Sequence, residues 1–350
     1  MRIAFLTTDF YIDPHLNLPT PNGSAFYRSY LPMYSLKVDA SFGFPAWTAE
    51  RGFGVKVNRQ EATFGFDTVM LKMLMGRWVP HQIKIAQSLG QRIIVDVDDL
   101  YDDIHEDNLA NYQTSAEYSK VINRDHYRET ILLADTVTVS TPYLKKHYSQ
   151  FCNDVRVVRN GCLPTNFDTR PVRRKKPVIG WVGAIPWRSG DIDPLSEWLP
   201  QFLEDNDLMF HHSGHVDVGP SFGDRAGIDP SRITYSPMVT FDKYLQLFTF
   251  DVGIVPLINS PFNHSKSTAK GFEYSCSGIP FVAQNLPEYQ RLSNLGVGRV
   301  AGTPAEWVEQ LSYLLDFSTR KKDARTNFAH VVKEHTILNR AKEWREVFNV

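Results

Sequence analysis

The first half of the chain alternates short apolar runs with amphipathic stretches. The apolar runs predict strands at 2–7, 38–42, 68–74, 92–97, 135–140 and 155–158. Between them, apolar positions recur at helical spacing and predict helices at 24–36, 79–89, 116–133 and 143–149. Strands that alternate with helices favour a parallel sheet with helices packed on its faces.

The alternation stops at 170–177 and then restarts. That segment contains two prolines and five cations, so we interpret it as a solvated linker, with a nucleic-acid-binding tract as the alternative. Beyond it, the pattern predicts strands at 178–182, 208–211, 233–235, 251–256 and 280–283. Helices are predicted at 194–203, at 268–276, around 307–315 and in the charged tail from 321.

This break indicates two domains, because a chain of 350 residues is longer than a single hydrophobic core usually accommodates. We expect an α/β fold in which two Rossmann-like domains, at 1–172 and 173–330, face each other across a cleft. The last segment, 331–350, is expected to form a helix that can cross back to the first domain.

The composition is that of a globular protein, with 42% hydrophobic and 22% charged residues. A formal net charge of -1 argues against a protein that binds nucleic acid through phosphate contacts alone, although it leaves room for a local basic groove. The three cysteines, Cys152, Cys162 and Cys276, form no CxxC pair and suggest a reducing compartment. The first residues turn polar too early for a signal peptide, and no apolar run reaches the ~20 residues of a membrane helix, so we expect a cytoplasmic protein without a transmembrane segment.

Candidate chemistry lies where the strands end, since ligands of open parallel sheets bind outside the carboxyl ends of the strands. Gly23 and Ser24 precede a helix, which suits either an anion cradle or a simple capped turn. The segment 96–103 carries five carboxylates in eight residues. These carboxylates could bind a metal ion, act in acid–base catalysis or hydroxyl binding, or form a solvated loop. We favour acceptor binding or catalysis for Asp98 and Asp99 and predict no metal site.

Two loops of the second half suit an anionic ligand. In the loop after strand 178–182, Gly183 lets the backbone approach a bulky anion, and Arg188 can bond to phosphate, unless it is an ordinary surface arginine. In the second loop, Lys266 leads into a helix whose first residues, Ser267 and Thr268, can hold a diphosphate. Glu273 lies one to two turns inside that helix, where its carboxylate could accept hydrogen bonds from a ribose diol.

The chain resembles the retaining family 4 glycosyltransferases, which have the GT-B fold. The resemblance rests on Ser265 to Lys270, Glu273-Tyr274, Gly278-Ile279-Pro280 and Pro287-Glu288-Tyr289, and is supported by the Gly23-Ser24 loop with Arg28 and by 180–183. The sequence departs from the family pattern at Ser265, where the family often has the first glutamate of a pair, and at 96–99, where it usually has a histidine.

The resemblance implies a metal-independent hexosyl- or pentosyltransferase that needs no cofactor and uses a UDP- or GDP-sugar donor, with retention. The implied donor-binding residues are Gly23, Ser24, Gly183, Arg188, Lys266, Ser267, Thr268 and Glu273. The implied acceptor-binding residues are Arg28, Asp98 and Asp99, and the implied catalytic residues are Asp98, Asp99, Arg188 and Lys266.

Several alternatives stay open at this point. The acceptor could be a saccharide, a lipid-linked saccharide, or a hydroxylated base in phage-type DNA. A nucleotide-sugar epimerase of the same fold and a catalytically inactive carbohydrate-binding relative are the other functions that suit these residues. The sequence predicts no oligomeric state.

Overall fold

The computed structural model describes residues 1–12, 19–57, 61–163, 174, 176–214, 219–237, 239, 244 and 246–350. Two sheets of mainly parallel strands, each flanked by helices, make up the chain, which confirms the predicted α/β fold class. Most of the predicted linker at 170–177 lies outside the described residues. No helix in the described ranges is long and apolar enough to cross a membrane.

The first sheet is built from the first half of the chain. The strands of this half are β1 (Ile3–Thr7), β2 (Phe10–Ile12), β3 (Pro19–Pro21), β4 (Ala40–Thr48), β5 (Gly52–Lys56), β6 (Thr68–Lys72), β7 (Arg92–Val97), β8 (Thr136–Val139) and β9 (Val155–Val157). Seven of them form one sheet in the order β5-β4-β1-β6-β7-β8-β9. All neighbours in it are parallel except β4 and β5, and β2 pairs with β3 in a separate antiparallel hairpin.

Helices of the first half pack on this sheet. They are α1 (Gly23–Ala25), a π-helical turn (Phe26–Tyr30), α2 (Leu31–Leu36), α3 (Val79–Ser88), α4 (Leu109–Gln113), α5 (Arg124–Leu132) and α6 (Pro142–Tyr148), with a 3-10 turn at Tyr101–Asp103. The predicted helix at 116–133 is wrong over its first half. The Asn123 side chain accepts a hydrogen bond from the amide of His126 and so starts α5 only there.

The second sheet repeats the parallel arrangement. Its strands are β10 (Val178–Val182), β11 (Met209–Gly214), β12 (Ile233–Pro237), β13 (Val252–Val255), β14 (Phe281–Gln284) and β15 (Arg299–Ala301), in the order β12-β11-β10-β13-β14-β15. The helices are α7 (Ser189–Ile192), α8 (Leu199–Asp205), α9 (Phe222–Ala226), α10 (Pro261–His264), α11 (Ala269–Cys276), α12 (Pro287–Asn294), α13 (Pro304–Leu315), α14 (Phe317–Glu334) and α15 (Ile337–Phe348). The predicted helix at 194–203 starts instead as a 3-10 turn, Asp193–Glu197.

The last helix, α15, lies against the first half of the chain. Its buried Trp344 and Phe348 share an apolar cluster with Ile3 and Phe5 of β1. The Arg345 guanidinium donates to the carbonyl of Leu36 at a distance of 2.9 Å. The last helix therefore packs on the first half of the chain, as the sequence predicted for 331–350.

Candidate active site

A cleft of about 560 Å³ lies between the two sheets and is lined by residues of both. The strands β1, β7, β10 and β13 all end at this cleft, because residues one or two positions past their ends line it: Asp9, Asp98, Gly183 and Pro256. Most of the predicted site residues line it as well: Gly23, Ser24, Asp98, Asp99, Gly183, Arg188, Lys266, Ser267 and Glu273.

Glu273 is buried on α11 and accepts three hydrogen bonds. Its Oε1 accepts from the Tyr27 hydroxyl at 3.0 Å, and its Oε2 accepts from the Tyr244 hydroxyl at 3.1 Å and from Lys270 Nζ at 2.7 Å. Burial, followed by the charge of Glu273, raises the pKa of Tyr27 and of Tyr244 well above the ordinary value, so both hydroxyls stay protonated and donate. Hydroxyl groups of the chain itself therefore occupy this carboxylate.

Lys266 precedes α11 and pairs with Asp99 across the cleft. Its Nζ lies 2.7 Å from Asp99 Oδ1 and 4.0 Å from the centroid of the Phe262 ring. Burial lowers the pKa of Lys266, the nearby Arg188 lowers it further, and the attraction of Asp99 opposes both. The site therefore brings two cations close enough to repel each other, which an anionic ligand between them would relieve.

Arg188 has an unsatisfied donor at this site. Its Nη1 lies 3.5 Å from Asp191 Oδ2, and this nitrogen is buried without a hydrogen-bond partner among the described residues. Asp191 is itself held by the Asn263 amide at 2.6 Å and by the backbone N–H of Ile258 at 2.9 Å. Nη1 is therefore turned toward Asp191, while the Arg188 side chain as a whole is 32% exposed and lines the cleft, where its other nitrogens can donate to an anionic ligand.

Asp98 is paired with a lysine that the sequence analysis missed. Lys72, at the end of β6, is completely buried, and its Nζ lies 2.7 Å from Asp98 Oδ1. Burial alone would raise the pKa of Asp98, but Lys72 outweighs burial and the net pKa is lowered. Asp98 is therefore ionised at neutral pH. The charged end of an otherwise apolar strand was the sequence signal that could have identified Lys72.

The Gly23-Ser24 loop is hydrogen-bonded to the carboxylate of Asp9. Asp9 Oδ2 accepts from the Ser24 hydroxyl at 2.8 Å and from the backbone N–H of Ala25 at 3.0 Å. Asp9 was not identified from the sequence. At Gly23, the space that a side chain would fill is open, so a ligand can approach the backbone there.

Arg28 is completely buried and lies beneath the cleft rather than on its surface. Its guanidinium pairs with Asp96 at 2.6 Å, donates to Asn160 Oδ1 at 3.1 Å and to the Val158 carbonyl, and stacks over Trp344 at 5.0 Å. This burial does not favour the predicted contact with an acceptor. Arg28 instead orients Asn160, whose amide donates to the hydroxyl of the cleft-lining Ser267 at 2.9 Å.

Gly183 and Thr268, the two remaining predicted positions, are packed against other parts of the chain. A side chain at Gly183 would meet the Trp181 ring at 2.5 Å, so the close packing of the loop on β10 requires glycine there. The Gly183 carbonyl lies 3.1 Å from Nε2 of the buried His212, and burial lowers the pKa of this histidine to about 4. Thr268 is buried at the start of α11 and does not line the cleft, although its backbone opens the helix.

Comparison with solved structures identifies the architecture as GT-B. HepE of Anabaena, in complex with UDP-glucose, is 16% identical, with 100% of this chain and 99% of that chain covered and a TM-score of 0.63. WaaG, a glycosyltransferase involved in lipopolysaccharide biosynthesis, is 12% identical, with 99% of each chain covered and a TM-score of 0.59. A glycosyltransferase from Rickettsia africae is 13% identical over 81% of this chain and 77% of that chain, with a TM-score of 0.57.

The sequence itself matches no protein-family model and no curated protein. The structural likeness nevertheless confirms the GT-B fold that the residues around Lys266 and Glu273 predicted. Assignment to family 4 stays a prediction.

Proposed function

We propose that the chain transfers a glycosyl group from a nucleoside diphosphate sugar to a hydroxyl group, with retention. The observation that carries this proposal is the convergence of Glu273, Lys266 and the half-buried guanidinium of Arg188 in one cleft of a GT-B fold. A carboxylate suits the ribose diol and two cations suit the diphosphate, so the three groups match the two polar parts of such a donor.

The proposed chemistry depends on charge that builds on the leaving diphosphate as the glycosidic bond breaks. Arg188, Lys266 and the backbone N–H groups near Ser267 and Thr268 stabilise that charge. Asp99 pairs with Lys266, and the diphosphate takes its place on this lysine when the donor binds. In a front-face retaining reaction the leaving phosphate can itself accept the proton of the acceptor, so the protein need not supply a strong base.

The donor that we propose is a UDP-sugar, with a GDP-sugar as the alternative. Support comes from HepE, a neighbour of the same fold that was solved with UDP-glucose. A thermal-shift screen of UDP- and GDP-linked hexoses and pentoses, followed by mass spectrometry of candidate acceptors, tests the proposal. Stabilisation by no nucleotide sugar would contradict it. Release of free epimerised sugar would indicate an epimerase, and binding without turnover would indicate an inactive relative.

For the acceptor we propose a saccharide or lipid-linked saccharide, with a hydroxylated DNA base as the alternative. Asp98 and Asp99 support this choice because carboxylates accept hydrogen bonds from sugar hydroxyls and repel phosphates. Both line the cleft on the side of the first sheet, opposite Glu273. They can therefore orient an acceptor hydroxyl toward the donor.

Replacing Asp98 and Asp99 together by asparagine is expected to lower the transfer rate about tenfold. The reason is that a neutral amide oxygen accepts a hydrogen bond from the substrate's hydroxyl group more weakly than a carboxylate does. Donor affinity should stay the same or increase, because Asp99 no longer competes for Lys266. Calorimetry with the donor and a transfer assay on the same preparation measure the two effects.

The control for this double variant neutralises two exposed carboxylates nearby, Asp103→Asn with Glu106→Gln, and should leave both quantities unchanged. Lost donor affinity, or an undiminished rate, would place Asp98 and Asp99 on the wrong side of the cleft. The same assay separates the acceptors, since turnover on a saccharide should be nearly independent of salt, whereas turnover on DNA should fall steeply as salt rises.

Activity is expected to survive EDTA. Within the described ranges, no group of three or more His, Cys, Asp or Glu side chains could hold a metal ion. Lys72 and Lys266 instead neutralise Asp98 and Asp99, respectively. The test compares initial rates with EDTA, without it, and after magnesium or manganese is added back. Full loss with EDTA that either metal restores would make Asp98 and Asp99 metal ligands.

A further inference from the structure

A second cavity, of about 220 Å³, adjoins the cleft. Thr114 lines both, so the two spaces meet at the end of α4. The second cavity is lined almost entirely by polar groups, which include Asp102, Ser115, Arg124, Asp125 and Arg128. None of the residues proposed above for the donor or the reaction lines it.

The charges in this second cavity balance. Arg128 Nη2 lies 2.5 Å from Asp102 Oδ1, and His147 Nε2 lies 2.8 Å from Asp102 Oδ2, so Asp102 is fixed in position. Arg124 forms no ion pair with any described residue and is half-buried at the cavity wall. Two arginines facing two aspartates offer many donors and acceptors without a net charge, which suits a polyol better than a phosphate.

Two exposed tyrosines stand beside the second cavity. The rings of Tyr112 and Tyr118 are 57% and 55% exposed, and their centroids lie 4.8 Å apart. Ser115, which lines the cavity, joins them: its hydroxyl donates to the Tyr112 carbonyl at 2.7 Å and accepts from the backbone N–H of Tyr118 at 3.3 Å. Ser115 therefore ties the backbones of both tyrosines to the cavity wall, and an exposed aromatic face suits the C–H face of a sugar ring.

We propose that the second cavity binds the second sugar of an oligosaccharide acceptor, whose terminal sugar lies in the cleft near Asp98 and Asp99. Arg124 and Asp125 hydrogen-bond to its hydroxyls, and a tyrosine ring packs against it. This inference rests on the proposed function, because it narrows the acceptor to a saccharide of at least two units. The volume of the second cavity is about that of one sugar ring with its hydroxyl groups.

The test compares monosaccharides with disaccharides on the full chain. The probes are glucose, galactose, mannose, N-acetylglucosamine and homodisaccharides of each, with the donor selected by the thermal-shift screen. At least one disaccharide should exceed its own monosaccharide in kcat/KM by about tenfold, the effect of one or two additional hydrogen bonds. Saturation-transfer NMR without donor should show both sugar rings of that disaccharide in contact with the protein.

Ala116→Trp fills the second cavity from an exposed position, so folding should be retained. It should abolish the preference for the disaccharide and the NMR contact of its second ring, while donor affinity and the slow hydrolysis of donor by water stay unchanged. Ala329→Trp, at an exposed position on α14, is the matched control and should change nothing. Tyr112→Ala with Tyr118→Ala should weaken the preference in the same direction.

The inference is overturned if no disaccharide exceeds its monosaccharide, if Ala116→Trp and Ala329→Trp behave alike, or if the chain transfers only to DNA or to a lipid-linked monosaccharide. Failure of the proposed function would give a different result: the chain would neither bind a nucleotide sugar nor hydrolyse the donor. In that case the NMR measurement is made with all four homodisaccharides, and it still decides the inference because it requires no donor.

Discussion

Replacing Glu273 by alanine is expected to lower kcat/KM for the nucleotide sugar by roughly 30- to 1,000-fold, from the loss of about 2–4 kcal/mol of transition-state binding. The carboxylate is buried on α11 and aimed into the cleft by three donors. Removing it takes away the proposed acceptor for both ribose hydroxyls. Steady-state kinetics over a range of donor concentrations measures the effect, and melting temperature shows whether the fold is intact.

Two comparisons separate a donor-binding role of Glu273 from a structural one. Tyr27→Phe removes the hydrogen bond across the cleft but leaves the carboxylate, so it should keep donor affinity. Glu309→Ala, at an exposed position on α13, should change neither kinetics nor stability. Unchanged kinetics in folded Glu273→Ala would refute the donor site, and an equal loss in Tyr27→Phe would indicate that the contact across the cleft matters more than ribose binding.

Lys266→Met is expected to lower kcat by roughly 100- to 1,000-fold with a smaller change in KM, because the diphosphate gains charge only as the bond breaks. Methionine is unbranched and of similar size, so it keeps the apolar part of the side chain and removes the ammonium group, which lies 4.0 Å from the centroid of the Phe262 ring. Arg188→Ala should act in the same direction, since it removes the second cation that lines the cleft beside Lys266. Single-turnover rates at saturating donor measure the chemical step directly.

Lys322→Met, at an exposed position on α14, is the control for charge removal and should leave kcat unchanged. Asp99→Asn tests the other member of the ion pair with Lys266: donor affinity should increase, since the lysine is released from its partner. If Lys266→Met and Arg188→Ala lose only affinity, the two cations position the donor and do not stabilise the leaving group.

Much of the fold was predictable because buried parallel strands are apolar on both faces and stand out from the helices between them. The prediction for β7 agrees with the structure at both ends, 92–97. The edge strand β5 was missed because its sequence, Gly-Phe-Gly-Val-Lys, is short, and Gly52 has a φ of +67° that suits a turn. Edge strands and hairpins depend on a partner that a local pattern does not identify.

Some residues of the candidate site could be predicted from local sequence, and others could not. Lys266 and Glu273 could be singled out because local spacing alone places Lys266 just before the start of one helix, where an anion can bind, and Glu273 inside the same helix. Arg28 looked equally available in sequence, yet it pairs with Asp96 of β7, which is 68 positions away. Lys72 and Asp9 had no local signal strong enough to connect them with the cleft.

The sequence by itself determined two parallel α/β units and the loops that carry their polar groups, because periodicity and strand ends are local properties of the chain. Only the tertiary structure decided which of those groups neutralise one another and which face the cleft. Asp99 and Lys266 are 167 positions apart and meet because the two sheets close on the same space. A charge acquires its partner from packing rather than from spacing, and that partner decides whether the charge supports the fold or is available to a ligand.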